Sequence, residues 1–168
     1  MPRRPARSVP VVVLHGWRGS EPEHWQSWLV DQLHASERQV RYPTLPDPDQ
    51  PQLDAWLAAL DETLTGLPDA GFDVVAHSLG AVLWLHHVAS ASEAPHPARV
   101  ALVAPPSPQT AIAEIAGFFP PPLDVDVVRH ASEGTVLVAG DDDPYVPEGI
   151  ADAYARPLKI ATTVIPGG

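Results

Sequence analysis

The 168-residue chain has no cysteine. This excludes disulfides, thiol nucleophiles and zinc–thiolate sites, and it fits a reducing compartment. Positive charge is also scarce, with 10 Lys and Arg against 21 Asp and Glu for a net charge of −11. A phosphate backbone is therefore not the expected partner. The one basic cluster, Arg3, Arg4 and Arg7 in MPRRPARS, is read as a flexible, solvated N-terminal arm over residues 1–8. No apolar run approaches the ~20 residues that span a bilayer, and the N-terminus lacks the apolar core of a secretory leader. The expected location is the cytoplasm, with no membrane or nucleic-acid partner. No metal-ligand spacing of histidines and carboxylates is evident, and no cofactor is expected.

What the chain does contain is ordinary for a globular domain: 45% hydrophobic and 18% charged residues. Its length suits a single domain, residues 9–168. The 21 prolines fall mostly between the periodic segments, as turn punctuation. VVVL at 11–14, FDVVA at 72–76, 100–103, TVLVA at 135–139 and 160–165 are short β-branched runs that suit buried strands, with a further short strand at 39–42. Helical spacing marks about 22–35, 53–64, 79–89 and a segment near 148–155. This alternation predicts an α/β fold: a doubly wound, mostly parallel sheet with helices on both faces. Residues 104–134 are less regular and are expected to form a long connection, read equally as a plain loop or as a lid over the site.

The most informative stretch is AHSLG, Ala76 to Gly80, between a strand and a helix. A serine at such a corner stands above the carboxyl edge of the sheet, and the residues two before and two after it must be small. This is the pattern of a nucleophile elbow, with Ala76 in place of the usual first glycine. Ser78 is the candidate nucleophile. A helix-capping serine in an ordinary turn is the plainer alternative. Backbone N–H groups of Leu79, at the helix start, and Trp17, in the HGW turn after the first strand, are candidate oxyanion donors. The acid is expected in GDDDPYVP, after the strand 135–139. Asp143 is favoured because it precedes the Pro144 turn, while Asp141 and Asp142 are assigned to turn amides or solvent. His15, His24, Trp25 and Phe118 are candidates for the substrate pocket, though a packed histidine at a helix start and aromatic residues in the core are competing readings.

Four stretches in order carry a family resemblance: HGWRGSEPEHWQSWL, VAHSLG, LVAPPSP and GDDDPYVP. Together they closely resemble the small serine hydrolases of the YdeN type, relatives of retinoblastoma-binding protein nine, over nearly the whole chain from Val11. The resemblance implies a minimal α/β-hydrolase fold without a large cap domain. It also implies Ser-His-Asp chemistry on a small ester, thioester or amide through an acyl-enzyme. Ser78 and Asp143 match the family's nucleophile and acid, and Trp17 and Leu79 its oxyanion donors. The retinoblastoma-type partner is not expected, because its cysteine-containing motif has no counterpart here.

The order Ser, Asp, His in this architecture calls for a histidine after Asp143. The eight histidines are 15, 24, 34, 77, 86, 87, 96 and 130, and none follows it. The resemblance places the base in a glycine-rich loop beginning where VIPGG stands. The expectation is a native gene that continues beyond Gly168 with a histidine and a closing helix. Without that base, a serine hydroxyl is a poor nucleophile. Two other readings stay open: an impaired homologue that binds a ligand or protein, and an acyltransferase or cyclase using the same serine.

Overall fold

The computed structural model describes residues 9–90 and 93–167. The N-terminal arm and anything beyond Gly168 lie outside the described residues. Six strands form one sheet: β1 (Val11–Leu14), β2 (Val40–Arg41), β3 (Asp73–His77), β4 (Arg99–Val103), β5 (Gly134–Gly140) and β6 (Ala161–Ile165). All five neighbouring pairs are parallel, and the order is β2-β1-β3-β4-β5-β6. β1 is buried along its whole length, as a central strand covered on both faces must be.

The helices are α1 (Trp25–Ala35), α2 (Leu53–Leu64), α3 (Leu79–Ser90), α4 (Val125–His130) and a short α5 (Arg156–Leu158). Alternation along the strands decides which face each helix covers. Val12, Leu14, Val74, Ala76, Val100, Leu102, Leu137 and Ala139 meet α2, α3, α4 and α5 in the main core. Val11, Val13 and Val75 turn to the other face, where α1 supplies Val30 and Leu33. Helices therefore cover both faces, as the alternation predicts. The α1 side is only partly covered: in β5, Leu137 is fully buried while its neighbour Val136 is 42% exposed. Trp28, Val164 and Ile165 are also exposed.

Two stretches differ from expectation. Residues 104–134 are not a bare loop, because a 3-10 helix (Ala113–Phe118) and α4 lie within them. α4 is too short for a helical repeat to show in sequence. It is started by Asp124, whose carboxylate accepts from the Asp126 and Val127 amides. The helix expected near 148–155 is a π-helical turn, Ala151–Ala155, that runs into α5. Among the described residues, no helix is long and apolar enough to cross a membrane.

The strand order positions the site. From β1 the chain passes through α1 to β2 on one side. It then crosses back through α2 to β3 on the other side of β1. The connections that leave the carboxyl ends of β1 and β3 diverge to opposite faces, which opens a crevice there. In open parallel sheets this switch point is where ligands bind.

Candidate active site

Ser78 stands at that switch point. It is half-buried and sits between β3 and α3 with φ at 52°, the left-handed region that non-glycine residues rarely adopt. Its amide donates to the Val103 carbonyl at 2.8 Å, and its carbonyl accepts from Ala81, so the backbone of the corner is held on both sides. The hydroxyl has no hydrogen-bond partner among the described residues and is not sealed from solvent. A serine that merely capped α3 would spend its hydroxyl on the first-turn amides, and this one does not.

The loop after β1 presses against the serine. A Cβ added to Gly16 would lie 2.8 Å from Ser78 Cβ and 3.3 Å from its Oγ. Gly80 is small for a reason other than closeness to Ala76. A Cβ there would meet the carbonyl oxygens of His15 at 2.5 Å and Leu14 at 2.9 Å, so its smallness lets the start of α3 pack on the end of β1. Beyond Gly16 the chain turns. The Gly19 amide donates to the Gly16 carbonyl at 3.1 Å, and Arg18 takes the left-handed position with φ at 66°. Trp17 is fastened through its indole N–H to the Asp49 carbonyl at 3.2 Å, and the Arg18 guanidinium lies over its ring. Among the described residues, neither the Trp17 nor the Leu79 backbone amide has an acceptor. Leu79 also heads the twelve-residue α3, whose dipole favours negative charge at its start.

Of the three aspartates after β5, Asp143 is half-buried while Asp141 and Asp142 are exposed. Turn amides do not separate them in the way expected from sequence. Asp143 Oδ1 accepts from the Tyr145 amide at 2.9 Å, and Asp141 Oδ1 accepts from the Gly167 amide at 2.8 Å. The second bond draws the turn after β6 beside the acid loop. β5 lies two strands from β3, so the strands that lead to Asp143 and Ser78 run about 10 Å apart.

The pocket candidates divide. Phe118 is a correction: its ring is fully buried in the main core, edge-on to Trp56 at 5.3 Å, and it lines no open space. His15 is buried too. Its Nε2 accepts from the Leu45 amide at 3.0 Å, which leaves the proton on Nδ1 to be donated to the Gly16 carbonyl at 2.8 Å. Burial lowers its pKa, and the ring stays neutral. His24 caps α1 by accepting from the Gln26 amide. Its ring lies 4.8 Å from that of His77, and Trp25, 37% exposed, meets His77 edge-on at 5.4 Å. Burial, and then the neighbouring His24, push the His77 pKa down to about 4. These three rings form an uncharged aromatic rim beside the elbow. On the acid side, a cleft of about 410 Å³ is bounded by Ser107, Thr110, Ile112, Tyr145 and Glu148. The clefts around His96 lie at the opposite, amino edge of the sheet, remote from the serine.

Among the described residues, no imidazole reaches Ser78 Oγ. His86 bonds the Phe118 carbonyl, His87 pairs with Asp61, and His130 bonds the Asp126 carbonyl. No group of three His, Asp or Glu side chains among the described residues is placed to hold a metal. One residue that sequence reasoning passed over lies at the heart of the site. Gln26 is fully buried, and its amide joins the Leu14 carbonyl to the Ser20 hydroxyl. A lone glutamine inside an amphipathic helix carries no signal of this in sequence.

The family model described as serine hydrolase matches residues 11–168. The putative hydrolase YdeN of Bacillus subtilis (strain 168) is 39% identical over 70 residues, covering 42% of this chain and 36% of that protein. The matched stretch is thus little more than a third of that relative's length. The crystal structure of the ydeN gene product from B. subtilis superposes with a TM-score of 0.78 at 23% identity, over 94% of this chain and 85% of that one. A putative YdeN-like hydrolase from Pectobacterium atrosepticum gives 0.72 at 24% identity, over 95% and 77%. At these identities the superpositions speak for the fold: an α/β-hydrolase architecture with no large cap domain.

Proposed function

The chain belongs to the serine hydrolase family, and from that premise we propose that it cleaves a small ester, thioester or amide through an acyl-enzyme on Ser78. The observation that carries this reading is the unengaged Ser78 hydroxyl on a left-handed corner, with Gly16 packed against it at the switch point. Ser78 Oγ attacks the substrate carbonyl carbon while its proton passes to a base. The carbonyl electrons move onto oxygen, and the N–H groups of Trp17 and Leu79 receive that charge. Collapse expels the leaving group, which takes the proton from the base. Water then repeats the sequence and releases the acid.

The chemistry calls for a histidine base between Asp143 and Ser78, and the Gly167–Asp141 bond holds the turn after β6 beside the Asp143 loop. Asp143 would fix the histidine's tautomer and stabilise the imidazolium. The aromatic rim of Trp25, His24 and His77 favours an uncharged substrate portion, and the proposed setting is the cytoplasm. One observation favours a second reading, that of an impaired homologue serving as a binding module: among the described residues, none of the eight imidazoles hydrogen-bonds Ser78 Oγ.

Labelling of the full-length protein with a fluorophosphonate separates the two. The hydrolase reading expects a covalent adduct on Ser78 that disappears in Ser78→Ala. Labelling that survives this substitution removes Ser78 as nucleophile, and no labelling favours the binding module.

A further inference from the structure

The oxyanion donor assigned to Trp17 is an amide in a surface turn, and such turns are mobile unless something holds them. The turn belongs to a short loop, residues 15–20, between β1 and α1. Four hydrogen bonds made within residues 14–26 hold that loop at its two ends and in its middle.

Gln26 makes two of them. Its side-chain N–H donates to the Leu14 carbonyl, the last of β1, at 2.8 Å, and its oxygen accepts from the Ser20 hydroxyl at 3.0 Å. One planar amide thereby ties the point where the chain leaves the sheet to the point where the loop ends. Gln26 has little freedom to do otherwise, being fully buried near the start of α1 with its own backbone amide capped by His24. Its primary amide is suited to this position, since it must donate on one side and accept on the other.

The other two fix the peptide plane inside the loop. The carbonyl of Gly16 and the N–H of Trp17 belong to the same trans peptide and point in opposite directions. The Gly16 carbonyl is held by the His15 Nδ1–H at 2.8 Å and the Gly19 amide at 3.1 Å. Holding that oxygen aims the Trp17 N–H the other way.

We propose that Gln26 is a positioning residue for the transition state: it clamps the two ends of the oxyanion loop, and His15 orients the donor peptide between them. Gln26 touches no reacting atom and acts through the Trp17 amide. The inference rests on Ser78 being the nucleophile of a serine hydrolase. It adds that Gln26 governs turnover and not substrate binding, because a donor aimed at the oxyanion matters most once that charge has formed.

The test uses the full-length protein with a p-nitrophenyl ester as substrate and an aryl trifluoromethyl ketone, whose serine adduct places an oxyanion in the hole. Gln26→Met keeps the volume and removes both hydrogen bonds. It should lower kcat about tenfold to a hundredfold, short of the ~10²–10³ for deleting a donor outright. KM should stay within about threefold, and ketone inhibition should weaken by the same factor as kcat/KM. Ser20→Ala, which leaves the core alone, should show a smaller loss with the same kcat-selective pattern, and it decides the matter if Gln26→Met does not fold. Ser27→Ala, at the surface bond to the Glu21 carbonyl, should change nothing. Folded variants with wild-type kcat and ketone affinity overturn the inference. A loss that falls on KM, or equally on every ligand, overturns it as well, since it would mark a merely structural role. A wild type that the fluorophosphonate does not label at Ser78 overturns the hydrolase reading itself. Labelled wild type beside indifferent variants overturns the clamp alone.

Discussion

Gly16→Ala is expected to disable the site while leaving the fold standing. Gly16 does not occupy the left-handed region, so alanine meets no backbone penalty there and the effect is steric. The new Cβ would lie 2.8 Å from Ser78 Cβ and 3.2 Å from the His77 carbonyl oxygen. Carbon atoms pack comfortably at about 3.5 Å, so loop and elbow must part by roughly 0.7 Å. Ser78 Cβ cannot rotate away, because the backbone of the corner sets its position. The β1 loop yields instead, and the Trp17 amide goes with it. An oxyanion donor works at about 2.7–3.1 Å, so a retreat of that size takes the N–H to the edge of usefulness. Outright loss of one donor costs about 10²–10³ in turnover. A partial loss of about tenfold to a few hundredfold is expected, with ~1–3 kcal/mol of destabilisation from overpacking. Steady-state ester hydrolysis, the rate of fluorophosphonate labelling and a thermal melt by circular dichroism measure the two effects separately. A folded Gly16→Ala protein that labels and turns over within twofold of wild type would refute the placement of this loop. Gly80→Ala should act differently: its Cβ meets two backbone carbonyls, so the loss should appear mainly in stability.

Asp143→Asn should lower turnover by about 10⁴-fold with the fold retained, since an asparagine oxygen still accepts from the Tyr145 amide. Asp141→Asn keeps its acceptor for Gly167 and should change kcat little, so equal losses in the two variants would show the acid to be misassigned. Acid should weaken the fold through His77, whose pKa falls from 6.5 to about 4 on folding, first through burial and then through His24. Its stabilisation is full above pH 6.5 and is lost as pH falls towards 4, up to ~3 kcal/mol. The depressed pKa values of His15, His24 and His87 act in the same direction. Urea unfolding at pH 7.5 and 5 should show the drop, and His77→Gln should shrink it; an unchanged drop in that variant counts against His77 as its source. Trp56→Phe removes the indole bond to the Pro46 carbonyl at 2.7 Å and leaves a void. A loss of about 1–3 kcal/mol in chemical denaturation is expected, and a neutral result would mean the 43–51 loop does not depend on that bond.

The parts of this protein that were legible in sequence are those governed by near neighbours along the chain. VVVL has to be a buried strand because four β-branched or branched apolar residues in a row leave no face for water. The strand–AHSLG–helix succession forces Ser78 into a corner, because alanine and glycine flank it where bulk would not fit. The proposal of Asp143 as the acid rests on its place after β5 and before a proline. α4 was missed because six residues make fewer than two helical turns, too few for a period to show.

Local pattern alone determined the alternating α/β order, the serine on its turn and the aspartates after a late strand, since strand, helix and turn preferences act over a few residues. Only the tertiary structure decided what each polar or aromatic side chain does. Phe118 went to the core because Trp56 faces it from α2, 62 positions earlier in the chain. His15 became a neutral brace because the Leu45 amide arrives 30 residues later, and Gln26 became a clamp because α1 packs over the end of β1. A hydrogen bond is fixed by where donor and acceptor meet in space, and for residues so far apart that meeting is set by the packing of the whole sheet.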